Sequence, residues 1–128
     1  MRLLDAVEAW DGTTIRCRTG THRDVHHPLR YRGRLSVSVG LEYAAQAMGV
    51  HVGLLDGDCQ AKGRIGYVGS VRDVTFAVDR LDGTPFDLIV GATRVAEGEQ
   101  SYMYRFTVSL DSRTIIEGRA SIFIKAVP

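Results

Sequence analysis

Residues 39–57 hold the one long stretch of helical apolar spacing in this chain, and after it the hydrophobic period drops from 3.6 to 2. Leu41, Ala44, Ala45, Met48, Val52 and Leu55 form a broad apolar face, and the other side adds Tyr43, Ala47 and Val50. A helix so apolar all round is expected to be buried on most sides. Ser38 is placed to cap its start near Val39, and Gly57 to end it. Downstream, Val74, Phe76 and Val78 alternate with Thr75 and Ala77, and residues 86–96 form a further strand. Tyr102, Tyr104, Phe106, Val108 and Leu110 then alternate strictly with Met103, Arg105, Thr107 and Ser109, and Ile116, Gly118, Ala120, Ile122 and Ile124 repeat the pattern. A single enclosed helix needs a wrapping layer, and only strands are left to supply it. The expected class is α+β, a curved antiparallel six-stranded sheet around one central helix.

Upstream, residues 3–10 and 13–19 read as strands joined by the hairpin dipeptide Asp11-Gly12. Residues 20–36 show no apolar period and form a long loop rich in His, Arg, Gly and Pro. A chain of 128 residues makes one domain. The net charge of +1 gives no bulk reason to expect nucleic acid or a membrane surface. Cys17 and Cys59 belong to no CxxC pair and suggest neither a disulfide scaffold nor a metal site. Charge interrupts the first residues at once, and no apolar run reaches membrane-spanning length, so a cytoplasmic location is expected. Six strands with one helix leave sheet edges to cover, for which dimerisation through the sheet is the expected remedy.

Within the helix, Glu42 is the residue that needs a chemical reason. A carboxylate in an apolar helix is costly to bury without a partner, and burial favours the neutral acid suited to proton transfer. The residues alone leave two readings level: a catalytic acid, or a buried acid paired with Arg34 or Arg72. His22, His26 and His27 lie upstream, with Asp24 available to orient an imidazole. They lack an evident fourth ligand for a metal. His51 is about half a turn out of phase with Glu42 and reads as a packing or dimer-contact histidine. The stripe Tyr102, Tyr104, Phe106 reads as core, or as one wall of an acyl tunnel.

Several segments together resemble the hotdog-fold beta-hydroxyacyl-(acyl carrier protein) dehydratases, in particular their aryl-polyene-type branch. They are Leu3-Leu4-Asp5-Ala6-Val7, Gly33-Arg34-Leu35, and Gly40-Leu41-Glu42-Tyr43-Ala44-Ala45-Gln46-Ala47-Met48, then residues 66–74 and Glu117-Gly118-Arg119-Ala120. The Glu-x-x-x-Gln helix is the most specific of them. The resemblance covers essentially the whole chain.

The resemblance implies removal of water from a 3-hydroxyacyl thioester held on the phosphopantetheine of an acyl carrier protein, with no bound cofactor. It makes Glu42 the acid that protonates the leaving hydroxyl, Gly40 a source of the oxyanion N–H, and Gln46 a neighbour able to orient Glu42. A loop histidine would be the base. The better-known members keep it in a Gly-His-Phe-Pro-like motif 14 residues before the acid, whereas His27 lies 15 before Glu42 and His26 lies 16 before. On an alternative alignment Gly33-Arg34-Leu35-Ser36 fills that motif, Arg34 stands where histidine would, and His22 becomes the candidate. His22 and His27 are therefore both kept. The expected partners are an acyl carrier protein, met by the arginine loop (Arg30, Arg32, Arg34), and a second copy of the chain or another hotdog subunit. An acyl-thioesterase and a non-catalytic subunit without a base are the alternatives.

Overall fold

The computed structural model describes residues 2–57 and 64–126. Cys59 lies outside the described residues. Six strands and one α-helix follow in the order β1 Ala6–Trp10, β2 Thr14–Thr19, α1 Gly40–Leu55, β3 Arg64–Phe76, β4 Leu88–Glu97, β5 Ser101–Leu110 and β6 Arg113–Ala126. Every pairing is antiparallel, in the order β1-β2-β4-β5-β6-β3. The helix lies against this curved sheet, the arrangement expected from the two periodicities and, as the hotdog fold, implied by the resemblance.

Alternation sets which residues face α1. Tyr104, Phe106 and Val108 of β5 pair with Ala120, Gly118 and Ile116 of β6, and all are buried. Gly118 belongs to this row because a Cβ there would stand 2.8 Å from the Phe106 ring and 2.9 Å from Val74. The helix contributes Gly40, Tyr43, Ala44, Ala47, Met48, His51 and Val52. Burying twenty or so apolar side chains is the main favourable term in such a fold. No helix among the described residues is long and apolar enough to cross a membrane.

Four expectations are corrected. Residues 3–5 precede β1, because the Leu3 N–H donates to the Gln46 side chain (2.8 Å) and is drawn to the helix. Ser38 does not cap α1: its own N–H donates to Ser36 Oγ, and a 3-10 turn over Val37–Val39 runs straight into the helix. The helix is not buried on most sides either, since Glu42, Gly49, Val50 and Leu54 are exposed. Its inward phase is set by Tyr43 and Ala47, not by Leu41 and Leu55. Finally, β3 begins ten residues before Val74 and stops at Phe76. Its residues 66–73 are exposed on both faces, so no alternation marks them.

Candidate active site

The loop between β2 and α1 is ordered around Arg30. The Arg30 guanidinium donates to the carbonyls of Asp24 (2.8 Å), Gly33 (2.9 Å) and His22 (3.3 Å) and lies 3.9 Å from the Asp82 carboxylate. Asp82 is buried, accepts the Leu35 N–H at 2.9 Å and is paired with Arg80. The Arg80 guanidinium holds its carboxyl well below the usual carboxylate range. Arg30 is therefore an internal brace of the loop and not a docking residue. Arg32 and Arg34 remain exposed, at a turn whose central residues Arg32 (φ 52°) and Gly33 (φ 76°) are both left-handed. That is the mirror-image turn suited to a tight hairpin, here joining Tyr31 to Arg34.

The loop buries two of its three histidines. The Phe86 carbonyl can only accept, so the 2.9 Å contact with His22 Nε2 places the proton on that nitrogen. His22 Nδ1 is then a bare, buried lone pair with no hydrogen-bond partner among the described residues. His27 is oriented differently. Its Nδ1 accepts the Leu29 N–H at 3.1 Å, so Nε2 carries the proton and donates to the Tyr43 hydroxyl at 3.1 Å. The Tyr43 hydroxyl then donates to Thr21 Oγ1 (2.7 Å), and Thr21 donates to the Leu3 carbonyl (2.7 Å). Thr19 donates to the same carbonyl at 2.6 Å. Burial first, and nearby Arg23 or Arg30 second, holds both imidazoles below their ordinary proton affinity. His26 is exposed, its N–H held by Asp24 Oδ1.

Glu42 lies elsewhere. One step round the helix from the inward Tyr43, it opens onto a hollow of about 230 Å³. Ala45, Gln46 and Gly49 complete the helix side, and Gly66, Tyr67, Val68 and Ile122 form the facing side. The expected burial of Glu42 is thus not met within one chain, because the core side of α1 is 100° away. Neither Arg34 nor Arg72 forms an ion pair with it among the described residues. Gln46 shares the hollow but turns its Oε1 to the Leu3 N–H. Among the described residues, no histidine lines the hollow.

Gly40 begins the helix as expected, yet its N–H donates back to Val37 and Ser38 carbonyls in the preceding turn. Its lack of a side chain has a packing cause, since a Cβ would run into Ile116. His51 is a packing histidine: Nε2 donates to the Asp11 carbonyl (2.8 Å), and Nδ1 accepts the Tyr104 hydroxyl (2.6 Å). Among the described residues no group of three or more His, Cys, Asp or Glu could hold a metal ion.

One feature escaped the sequence reading and another was caught only in part. Tyr43 is the hydrogen-bonding centre of the loop, and its place beside Glu42 gave no hint of it. The partners of Glu42 in the hollow were partly legible, since Gln46 and Gly49 follow at i+4 and i+7 on one helix face.

One solved structure of similar fold is the dehydratase heterocomplex ApeI:P from Xenorhabdus doucetiae, at a TM-score of 0.82 and 19% identity, covering 95% of this chain and 82% of that one. A hypothetical thioesterase from Streptococcus pneumoniae, solved with coenzyme A, aligns at a TM-score of 0.70 and 14% identity over 95% of this chain and 89% of that one. A thioesterase from Haemophilus influenzae gives 0.68 and 12%, over 94% and 78%. At such identities these likenesses speak for the hotdog fold. No curated protein matches the chain. The family match is more specific and runs over residues 1–126. The chain belongs to the ApeP-like family of dehydratases, the aryl-polyene branch of the hotdog dehydratases.

Proposed function

We propose that this hotdog dehydratase removes water from 3-hydroxyacyl thioesters carried on the phosphopantetheine of an acyl carrier protein, giving the 2-enoyl thioester. The observation that carries the reading is Glu42 at the mouth of an otherwise mostly apolar hollow beside the β3 edge. A carboxyl group there can hand its proton to a departing hydroxyl while the acyl chain lies against Ala45, Gly49, Val68 and Ile122. The chemistry balances simply: a base takes the proton on the carbon next to the thioester carbonyl, the double bond forms, and the carbon–oxygen bond breaks as Glu42 protonates the oxygen. No oxidant or bound cofactor is required.

The base comes from across a subunit interface in this reading. The hollow of one chain holds no imidazole among its described lining, and His27 has both ring nitrogens engaged. Tyr67, Val68, Val71 and Phe123 are exposed around β3, an edge strand of the sheet. A second hotdog subunit docked along that edge would close the hollow and exclude water. The second subunit is another copy of this chain or a different hotdog protein, as in the ApeI:P heterocomplex. Arg32 and Arg34 would meet the acidic carrier protein, in the cytoplasm where such carriers work.

Intact-mass measurement of a 3-hydroxyacyl-loaded carrier protein tests the reading, with this protein alone and with a co-purified hotdog partner. Loss of one water with the thioester intact is expected in at least one arm. Release of the whole acyl group, or no change in either arm, overturns it.

A further inference from the structure

Gly49 stands in the middle of α1, seven residues beyond Glu42 and on the wall of the same hollow. Glycine is disfavoured inside a helix because it gives up more backbone freedom than any other residue. One cause that keeps it there is a neighbour that needs the side chain to be missing. At Gly40 that neighbour is Ile116. At Gly66, across the hollow, a Cβ would meet Ile124, Ile122 and Val52 at 3.4, 3.6 and 3.8 Å, which is ordinary packing. At Gly49 a Cβ would meet, among the described residues and beyond its own helix backbone, no atom within 4 Å. Gly53 shares that open surrounding, but it lies in the last turn and outside the lining of the hollow. Packing among the described residues therefore gives no reason for glycine at position 49.

We propose that Gly49 sets the length of acyl chain the site accepts, by leaving the far end of the hollow open. The inference rests on the proposed function in taking the hollow as an acyl-thioester site. Seven residues of helix span roughly 10 Å, so Glu42 marks the reacting end and Gly49 the distal end. Between them Ala45, Gln46 and Ile122 leave a mostly apolar path. A larger side chain at 49 would stand in this path without displacing anything in the core.

The test uses acyl-pantetheine ketones of graded length, in which a methylene replaces the thioester sulfur so that neither water loss nor hydrolysis interferes. They are titrated by calorimetry into the native assembly of wild type, Gly49→Ala, Gly49→Leu and Gly53→Ala. Gly49→Leu is expected to weaken the longest ketone about tenfold or more while leaving the shortest within about twofold, with Gly49→Ala intermediate. Gly49→Ala and Gly53→Ala should each raise Tm by about 2–4 °C, and Gly53→Ala should leave the length profile unchanged. Equal loss at every length, no loss at any, or failure of the wild type to bind any ketone overturns the proposal. So does a changed sedimentation mass for Gly49→Ala, which would make the glycine a point of subunit approach. Because the probes do not react, release of free acid in the carrier-protein assay would overturn the dehydratase reading and leave this result to decide Gly49.

Discussion

His27 and Tyr43 are joined by a 3.1 Å hydrogen bond in which the imidazole is the donor, because its other nitrogen already accepts the Leu29 N–H. This one contact ties the loop to the central helix. It also fixes His27 as neutral, and His22 is buried nearby in the neutral state as well. The pH dependence of stability follows from the pair. Both are held below the ordinary value of 6.5, so below that pH the unfolded chain binds protons that the folded chain refuses. Stability is complete above about pH 6.5 and falls as the pH drops through it. Urea unfolding should show a lower midpoint at about pH 5 than at about pH 7, with a shallower pH slope in His22→Gln and His27→Gln. Equal slopes in all three proteins would contradict this.

Tyr43→Phe keeps the ring in the core and deletes the hydroxyl. It leaves the buried His27 Nε2–H without its acceptor and Thr21 without its donor. A cost of about 1–3 kcal/mol is expected by denaturant titration. Preserved stability would mean that the relay through Thr21 to Leu3 contributes little.

Glu42→Gln alters an exposed side chain that makes no hydrogen bond or ion pair among the described residues. Its melting temperature should match wild type, while dehydration should fall by about 100-fold or more. Retained turnover would remove Glu42 from the chemistry.

Arg30→Ala leaves the carbonyls of His22, Asp24 and Gly33 without their shared donor and takes a cation from beside buried Asp82. A loss of about 2–4 kcal/mol is expected, together with faster proteolysis within residues 20–36. Arg30→Lys should rescue little, since one ammonium cannot reproduce the guanidinium fork.

Arg32→Glu and Arg34→Glu change exposed charge, Arg32 also leaving the face of the exposed Tyr31 ring, and should change stability little. If they face an acidic carrier protein, the apparent KM rises several-fold at low ionic strength and the effect fades with added salt. An unchanged KM would place carrier docking on another surface.

The legibility of this chain varied with how one-sided each segment is. The alternation of β5 and β6, with one face buried in the core, gave these two strands and the class of fold. β3 was read short because residues 66–73 face solvent on both sides, and its Gly69 sits under the Phe123 ring for a tertiary reason. The Glu42-Gln46 spacing put both side chains on one helix face, yet Gln46 turned to Leu3, a partner 43 positions away that no local pattern announces. The histidines were harder still. Their burial depends on the Phe86 carbonyl and on Tyr43, both remote in sequence, and on Arg30, which read as one of several loop charges.

The open edge of β3 has a consequence for how much of this protein a cell can carry. A thirteen-residue strand whose outer backbone groups meet no other strand among the described residues is a template for any extended chain that reaches it. Once a partner occupies the edge the hazard is gone. If the proposed partner is a different hotdog subunit, a surplus of unpartnered chains leaves this edge open to strand-by-strand growth, and balanced synthesis of the two subunits becomes a matter of proteostasis as much as of catalysis.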